Sequence, residues 1–260
     1  MRFLGIDLGW TTGASGLCAM AWTAGRLVVL DLDRRPSQTD CLAWIDHWAP
    51  ASENALVAVD APTLIPNATG MRLPDRLCHQ YFRAYHAGSY PANLGRPFAA
   101  HTLAFGRSLE ARGFRHAPHL EPQAAGRWQI EVFPHPAQVH LFSLPRILKY
   151  KKGSLAQRRQ ELTRLRAAIL EHLPHGRPAL IPPDLPAIPQ GGAALKTVED
   201  MLDSLICAYI AAHWWLWGSA RNWVLGNLEQ GYMVIPAPVS LGQERPTPPQ
   251  DHPQTNGGDA

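Results

Sequence analysis

The sequence has little cysteine, little lysine and no long apolar run. Its four cysteines, at 18, 41, 78 and 207, form no CxxC pair, which argues against both a zinc ribbon and a disulfide framework. Cys18 and Cys207 fall in apolar runs and read as core. The longest mostly apolar run, SLICAYIAAHWWLW from Ser204, is about 14 residues, short of the roughly 20 needed to span a bilayer. No basic, apolar and small-residue signal pattern opens the chain. The expected location is the cytoplasm, with no membrane partner. Lysine occurs only at 149, 151, 152 and 196, so arginine carries most of the positive charge. Arginine forks onto phosphate where lysine does not, but abundant Ala, Pro and Gly make coding bias the simpler origin. The net charge of +3 is compatible with a nucleic-acid partner without requiring one.

What is present is enough for one sizeable core: 260 residues, 46% hydrophobic, with nine Trp. Residues 2–7, 16–23 and 26–33 read as strands, the last two joined by Ala24-Gly25 in a three-strand meander. Residues 38–49 read as a helix with Thr39 as cap, 55–62 as a buried strand, and 128–137 as another strand. Helices are expected over 73–87, 98–112, 154–173 (capped by Ser154) and 193–217, and a short strand over 231–236. The expected organisation is one α/β domain over 1–236, with a mixed five-stranded sheet flanked by helices and a helical insertion at about 67–128. The Pro-rich stretch 237–260 reads as disordered, and HWWLW as an interface, with a dimer possible, if it is exposed.

Certain carboxylates interrupt apolar sequence, and a buried carboxylate costs several kcal/mol unless it is paired, hydrogen-bonded or bound to metal. Asp7 ends the strand FLGID, Asp60 ends LVAVD, and Glu131 sits between Ile130 and Val132. In KTVEDMLDSLICAYIAA, the core stripe is Val198, Met201, Leu202, Leu205, Ile206 and Tyr209. Asp200 and Asp203 share one flank at i and i+3, and Glu199 with Asp203 is the alternative pair at i and i+4. One such acid alone reads as a turn residue or a solvated flank. Together they read as a shared cation site, because a bound cation reverses the repulsion among them. His79 and His86, like His135 and His140, read as caps or packed imidazoles rather than zinc ligands.

The strand end GIDLG, the later VDAP and the D-x-x-D helix resemble the RNase H-like fold, including RuvC-type resolvases. More narrowly, GIDLGW, VAVDAP, RLPDRLCH, EVFPHPA, LKYKKG and EDMLDSLICAYIAA resemble the family of domains of unknown function number 429, over about residues 2–236. That resemblance implies a nuclease hydrolysing DNA or RNA with two Mg²⁺ or Mn²⁺ ions, held by hard carboxylate oxygens. Carried over, Asp7 bridges both ions, Asp60 is the neighbouring-strand ligand, and Asp200 or Asp203 is the helical one. Glu131 matches the E-V-F-P strand. The catalytic Glu that RNase H proper carries on its first helix has no counterpart here, since Asp40 and Asp46 stand in a different context.

Lys196, one turn before Asp200, either contacts the scissile phosphate or neutralises the acids. Arg72, Arg76, Arg83, Arg96 and Lys151 are the candidate substrate contacts, with Tyr81, Phe82, Tyr85 and Tyr90 interleaved for base stacking. Two rival readings stand beside the nuclease. GIDLGWTTG resembles the phosphate turn of the actin, Hsp70 and sugar-kinase superfamily, where Thr11 and Thr12 would help cradle ATP. The other rival is a non-catalytic RNase H-like module that binds nucleic acid.

Overall fold

A computed structural model describes residues 1–11 and 13–238. Thr12 of the phosphate-turn reading, and all but the first two residues of the expected disordered tail, lie outside that range. The apolar strands assemble into one mixed sheet in the order β3-β2-β1-β4-β6-β5. β1 (Arg2–Asp7), β2 (Ser15–Thr23) and β3 (Arg26–Arg35) form the antiparallel meander, turned by Ala24 and Gly25, both at positive φ (49° and 77°). Two such residues match the right-handed twist of the flanking strands. β4 (Ala55–Val59) and β6 (Arg127–Glu131) continue from β1 in parallel.

Strand alternation sorts the core into two layers. Phe3, Leu56, Ala58, Ile130 and Val132 face one side, where α6 (Gly192–Trp217) lies across the sheet. Leu4, Ile6, Val57 and Val59 face the other, against α1 (Gln38–Trp48) and α3 (Ala99–Glu110). α6 sits very close to β1 and β2. A Cβ on Gly5 would collide with the Ser204 carbonyl and the Ala208 nitrogen, and one on Gly16 with the Asp200 carbonyl. These two glycines therefore let the acidic turn of α6 rest directly on the strand ends.

The sheet has six strands where five were expected. The extra one, β5 (Arg115–His116), pairs parallel with β6 inside the stretch read as insertion, and two residues are too few to show a period of two. The expected strand over 128–137 stops at Glu131. Pro134, pre-set for the first helical turn, starts α4 (Pro134–Leu141) instead. Residues 73–87 become α2 (Leu73–Phe82) and a short 3-10 turn. Ser37 rather than Thr39 caps α1. β7 (Asn222–Asn227), which the sequence reading lacked, pairs with β8 (Gly231–Pro236) in a separate hairpin packed on α2. In HWWLW, His213, Trp214 and Trp215 are buried in the core and Leu216 and Trp217 are half-buried, so most of the cluster lacks the exposure on which its reading as an interface depended.

α5 (Leu155–His172) begins as expected at Ser154, whose hydroxyl accepts from Gln157 N while Gln157 Oε1 accepts from Ser154 N. Ser154→Ala removes this reciprocal cap. It is expected to cost about 1 kcal/mol and to lower the thermal midpoint by about 2–4 °C, measured by circular dichroism. Among the described residues no helix is long and apolar enough to cross a membrane.

Candidate functional site

The carboxyl ends of β1 and β4 are side by side. Ile6 pairs with Val59, and Asp60 N donates to Ile6 O at 2.8 Å, so Asp7 and Asp60 leave neighbouring parallel strands together. By alternation both continue the α6-facing layer, one step beyond Gly5 and Ala58. Both line a cleft of about 590 Å³, close enough for the charge of Asp60 to act on Asp7. Asp7 also pairs in register with Gly16, and Gly16 with Arg34, which brings the helical acids and an arginine to the same row.

The two helical acids have different cationic partners. Asp200 accepts from Arg34 Nε at 2.8 Å and lies 2.6 Å from Lys196 Nζ. Asp203, fully buried, accepts from Tyr150 Oη at 2.6 Å and Gln138 Nε2 at 3.3 Å through Oδ1. Its Oδ2 lies 2.8 Å from Lys151 Nζ, in an ion pair whose geometry does not make a hydrogen bond. Lys151 comes from the KYKK loop and lines the cleft beside Asp7 and Asp60. Burial alone would lower its pKa, but the charges of Asp203, Asp7 and Asp60 outweigh it and hold the ammonium protonated. Glu199 binds Lys196 at 2.8 Å and Arg158 at 3.4 Å.

Charge in this cluster is incompletely balanced. Burial raises the Asp7 carboxyl well above its ordinary range; Lys151 opposes this, while Asp203, Asp60 and Asp200 reinforce it. Burial likewise pushes Asp60 up to about 7, against Lys151. Among the described residues no three His, Cys, Asp or Glu side chains form a ready metal cage. The ammonium of Lys151 stands where carboxylates would otherwise converge. The donor set nevertheless fits a hard cation: half-buried Asp7 and Asp60 with raised pKa values, beside a buried Asp203 whose Oδ2 has no hydrogen bond.

Glu131 is not part of this set. It falls on the opposite parity of β6 from Ile130 and Val132, and Arg72 takes both its oxygens, at 2.6 and 2.8 Å. Arg72 also holds Asp75 at 2.8 Å, and all three are buried. Burial would lower the Arg72 pKa, and the two acids raise it instead. Burial pushes Glu131 up to about 7 despite Arg72. The sequence reading gave Glu131 as catalytic and Arg72 as a substrate contact; both line the cleft, and there each satisfies the other. Arg76 on α2 and Arg83 at its C-cap are exposed and do not line the cleft, and Arg96 lies over the Tyr90 ring, 5.0 Å from its centroid. Lys196 and Lys151 do line it.

Sequence reasoning missed Arg34, Tyr150 and Trp10. Arg34 becomes visible only through the β2–β3 register. Tyr150 stood in plain view beside Lys151 within LKYKKG. His135 lines the cleft as a packed imidazole against Tyr150 (5.4 Å), and burial lowers its pKa to about 4. His140 Nδ1 pairs with Pro236 O at 2.7 Å.

Asp60 and Glu131 make stability depend on pH. Both are raised in the folded chain, so their contribution is full below about pH 4 and is lost as pH rises through about 7. The thermal midpoint of the metal-free chain is expected to fall on this account between about pH 5 and about pH 8. A titration series by circular dichroism measures it, and a midpoint rising steadily across that range contradicts it.

Fold and site together define a mixed α/β protein with an aspartate cluster at the carboxyl ends of adjacent parallel strands, under a long crossing helix. The chain belongs to the family described as protein of unknown function (DUF429), whose model matches residues 5–225. Comparison with curated proteins gives no match.

Proposed function

We propose that this chain is a metal-dependent hydrolase of phosphodiester bonds, built on an RNase H-like fold. The observation that carries the reading is the meeting of Asp7 and Asp60 with Asp203 on one face of the sheet. The antiparallel meander continued by parallel strands, with α6 across the central one, supports the fold. Asp7, Asp60 and the buried Asp203 would hold one or two Mg²⁺ or Mn²⁺ ions, with Asp200 lining the cleft beside them. Bound there, the ions would activate water and stabilise charge on the phosphoryl and leaving oxygens.

The chain's own residues supply the remainder. Gly5 and Gly16 fix the helical acids against the strand acids. Tyr150 and Gln138 orient Asp203. Arg34 and Lys196 hold Asp200 and present positive charge to an incoming phosphate. Lys151 balances the acids and, as the ion takes that role, is placed to meet substrate oxygen.

Calorimetric Mn²⁺ titration of the wild type and of Asp7→Asn tests this, alongside cleavage of labelled DNA and RNA with Mg²⁺, Mn²⁺ or EDTA. Expected are binding and cation-dependent cleavage by the wild type, both lost in a folded Asp7→Asn. Equal Mn²⁺ affinity in the two proteins, or cleavage that persists in EDTA, would sink the reading.

A further inference from the structure

The lining of the cleft is of two kinds. Basic groups line it beside the acids, among them Arg34, Lys152 and Lys196. An aromatic cluster lines it as well. Trp10, on the turn after β1, donates its indole N–H to the Asp60 carbonyl at 3.3 Å. Its ring packs on Phe98 at 4.5 Å and meets the edge of Tyr90 at 6.5 Å. Tyr90 is 59% exposed, although it lines the cleft and is held by Phe98 at 6.4 Å and by the Arg96 guanidinium over its ring. A large aromatic ring this open, yet fixed from several sides, is uncommon on a surface that hides most of its other aromatic side chains.

We infer that Tyr90, backed by Trp10 and Arg96, is a stacking platform for an unpaired nucleobase whose phosphate lies at the aspartate cluster. The phosphate end of this inference rests on the hydrolase reading above. Three physical points lead to it. Trp10 ties the platform to the segment that carries Asp60, so base and phosphate sites move as one. A cleft of about 590 Å³ lies in the range that encloses a small ligand, roughly 300–1,000 Å³, and not a double helix. In a duplex both faces of every base are already covered, so a base can reach Tyr90 only by leaving its stack. The favoured substrate class is therefore a single strand, a flap or an extruded nucleotide. Selectivity among bases should be weak, because each base offers a π-face.

The test is fluorescence anisotropy with a labelled oligo-dT of about 12 nucleotides and a mixed-sequence duplex of equal length, in Ca²⁺. It compares the wild type, Tyr90→Leu and Tyr90→Phe, each checked for fold by circular dichroism. The wild type should bind the single strand more tightly than the duplex. Tyr90→Leu should weaken single-strand binding about tenfold and leave duplex binding unchanged, while Tyr90→Phe stays within about twofold of wild type because it keeps the π-face. Equal or tighter duplex binding, an unaffected Tyr90→Leu, or no binding to either strand form overturns the platform. Cleavage assays with Mg²⁺ and Mn²⁺ separate the two ideas. Duplex-only cleavage indifferent to Tyr90 removes the platform and keeps the hydrolase. Tyr90-dependent single-strand binding without cleavage removes the hydrolase and keeps the platform.

Discussion

Arg72→Ala is expected to lower the unfolding free energy by about 3–5 kcal/mol and the thermal midpoint by roughly 6–20 °C. The guanidinium is 3% exposed and bonds Glu131 at 2.6 and 2.8 Å, Asp75 at 2.8 Å and the Leu64 carbonyl at 2.8 Å. Removing it leaves two buried carboxyls facing each other with no cation between them. Part of the loss is relieved as Glu131 takes up a proton, since burial already pushes it up to about 7 against Arg72 and without that cation it rises further. Arg72→Lys should recover only a fraction, because one ammonium cannot fork onto two carboxylates. Urea unfolding of the three proteins decides it: a loss under about 1 kcal/mol for Arg72→Ala would mean that water reaches the network.

Lys151→Met is expected to tighten Mn²⁺ binding by at least about tenfold while destabilising the metal-free chain. The ammonium lies 2.8 Å from Asp203 and acts by charge on Asp7 and Asp60. A like charge a few ångströms from a divalent ion, at an effective dielectric near 20, opposes binding by several kcal/mol before screening. The same variant loses the counter-ion that keeps three aspartates together without metal. The thermal midpoint should therefore start lower than wild type and rise further on adding Mn²⁺, by mass action. Calorimetry and thermal melts on both proteins give the two numbers. An unchanged Mn²⁺ affinity would place the ion away from Lys151.

The sequence made much of the fold legible because β1, β4 and α6 are nearly pure signals. FLGID and ALVAV alternate between two buried layers, and the α6 stripe from Val198 to Tyr209 keeps its helical period. Short or irregular elements stayed hidden. Arg115–His116 is too brief to show alternation, and the EVFPHPA stretch reads as strand until Pro134 is weighed as a helix start. For the site, Asp7, Asp60 and the α6 pair were visible as acids interrupting apolar sequence. Glu131 gave the same signal and yet faces Arg72. Composition cannot tell which parity of β6 points at α6 when the residues on both sides of Glu131 are apolar. Arg34 and Tyr150 depend on register and loop path, which no local pattern encodes.

The missing side chains of Gly5 and Gly16 act as a fixed gauge. They let the α6 backbone touch the sheet beside Asp7, so the span from strand acid to helix acid is set by main chain against main chain. Such a span has no fine adjustment: a single added methyl must move a whole 26-residue helix. In the proposed metal site, discrimination between a small, rigidly octahedral ion such as Mg²⁺ and a larger, tolerant one such as Ca²⁺ would then fall to side-chain length. Lengthening one acid, as in Asp60→Glu, would retune the proposed site for ion size while leaving the frame in place, whereas re-spacing the elements would dismantle it.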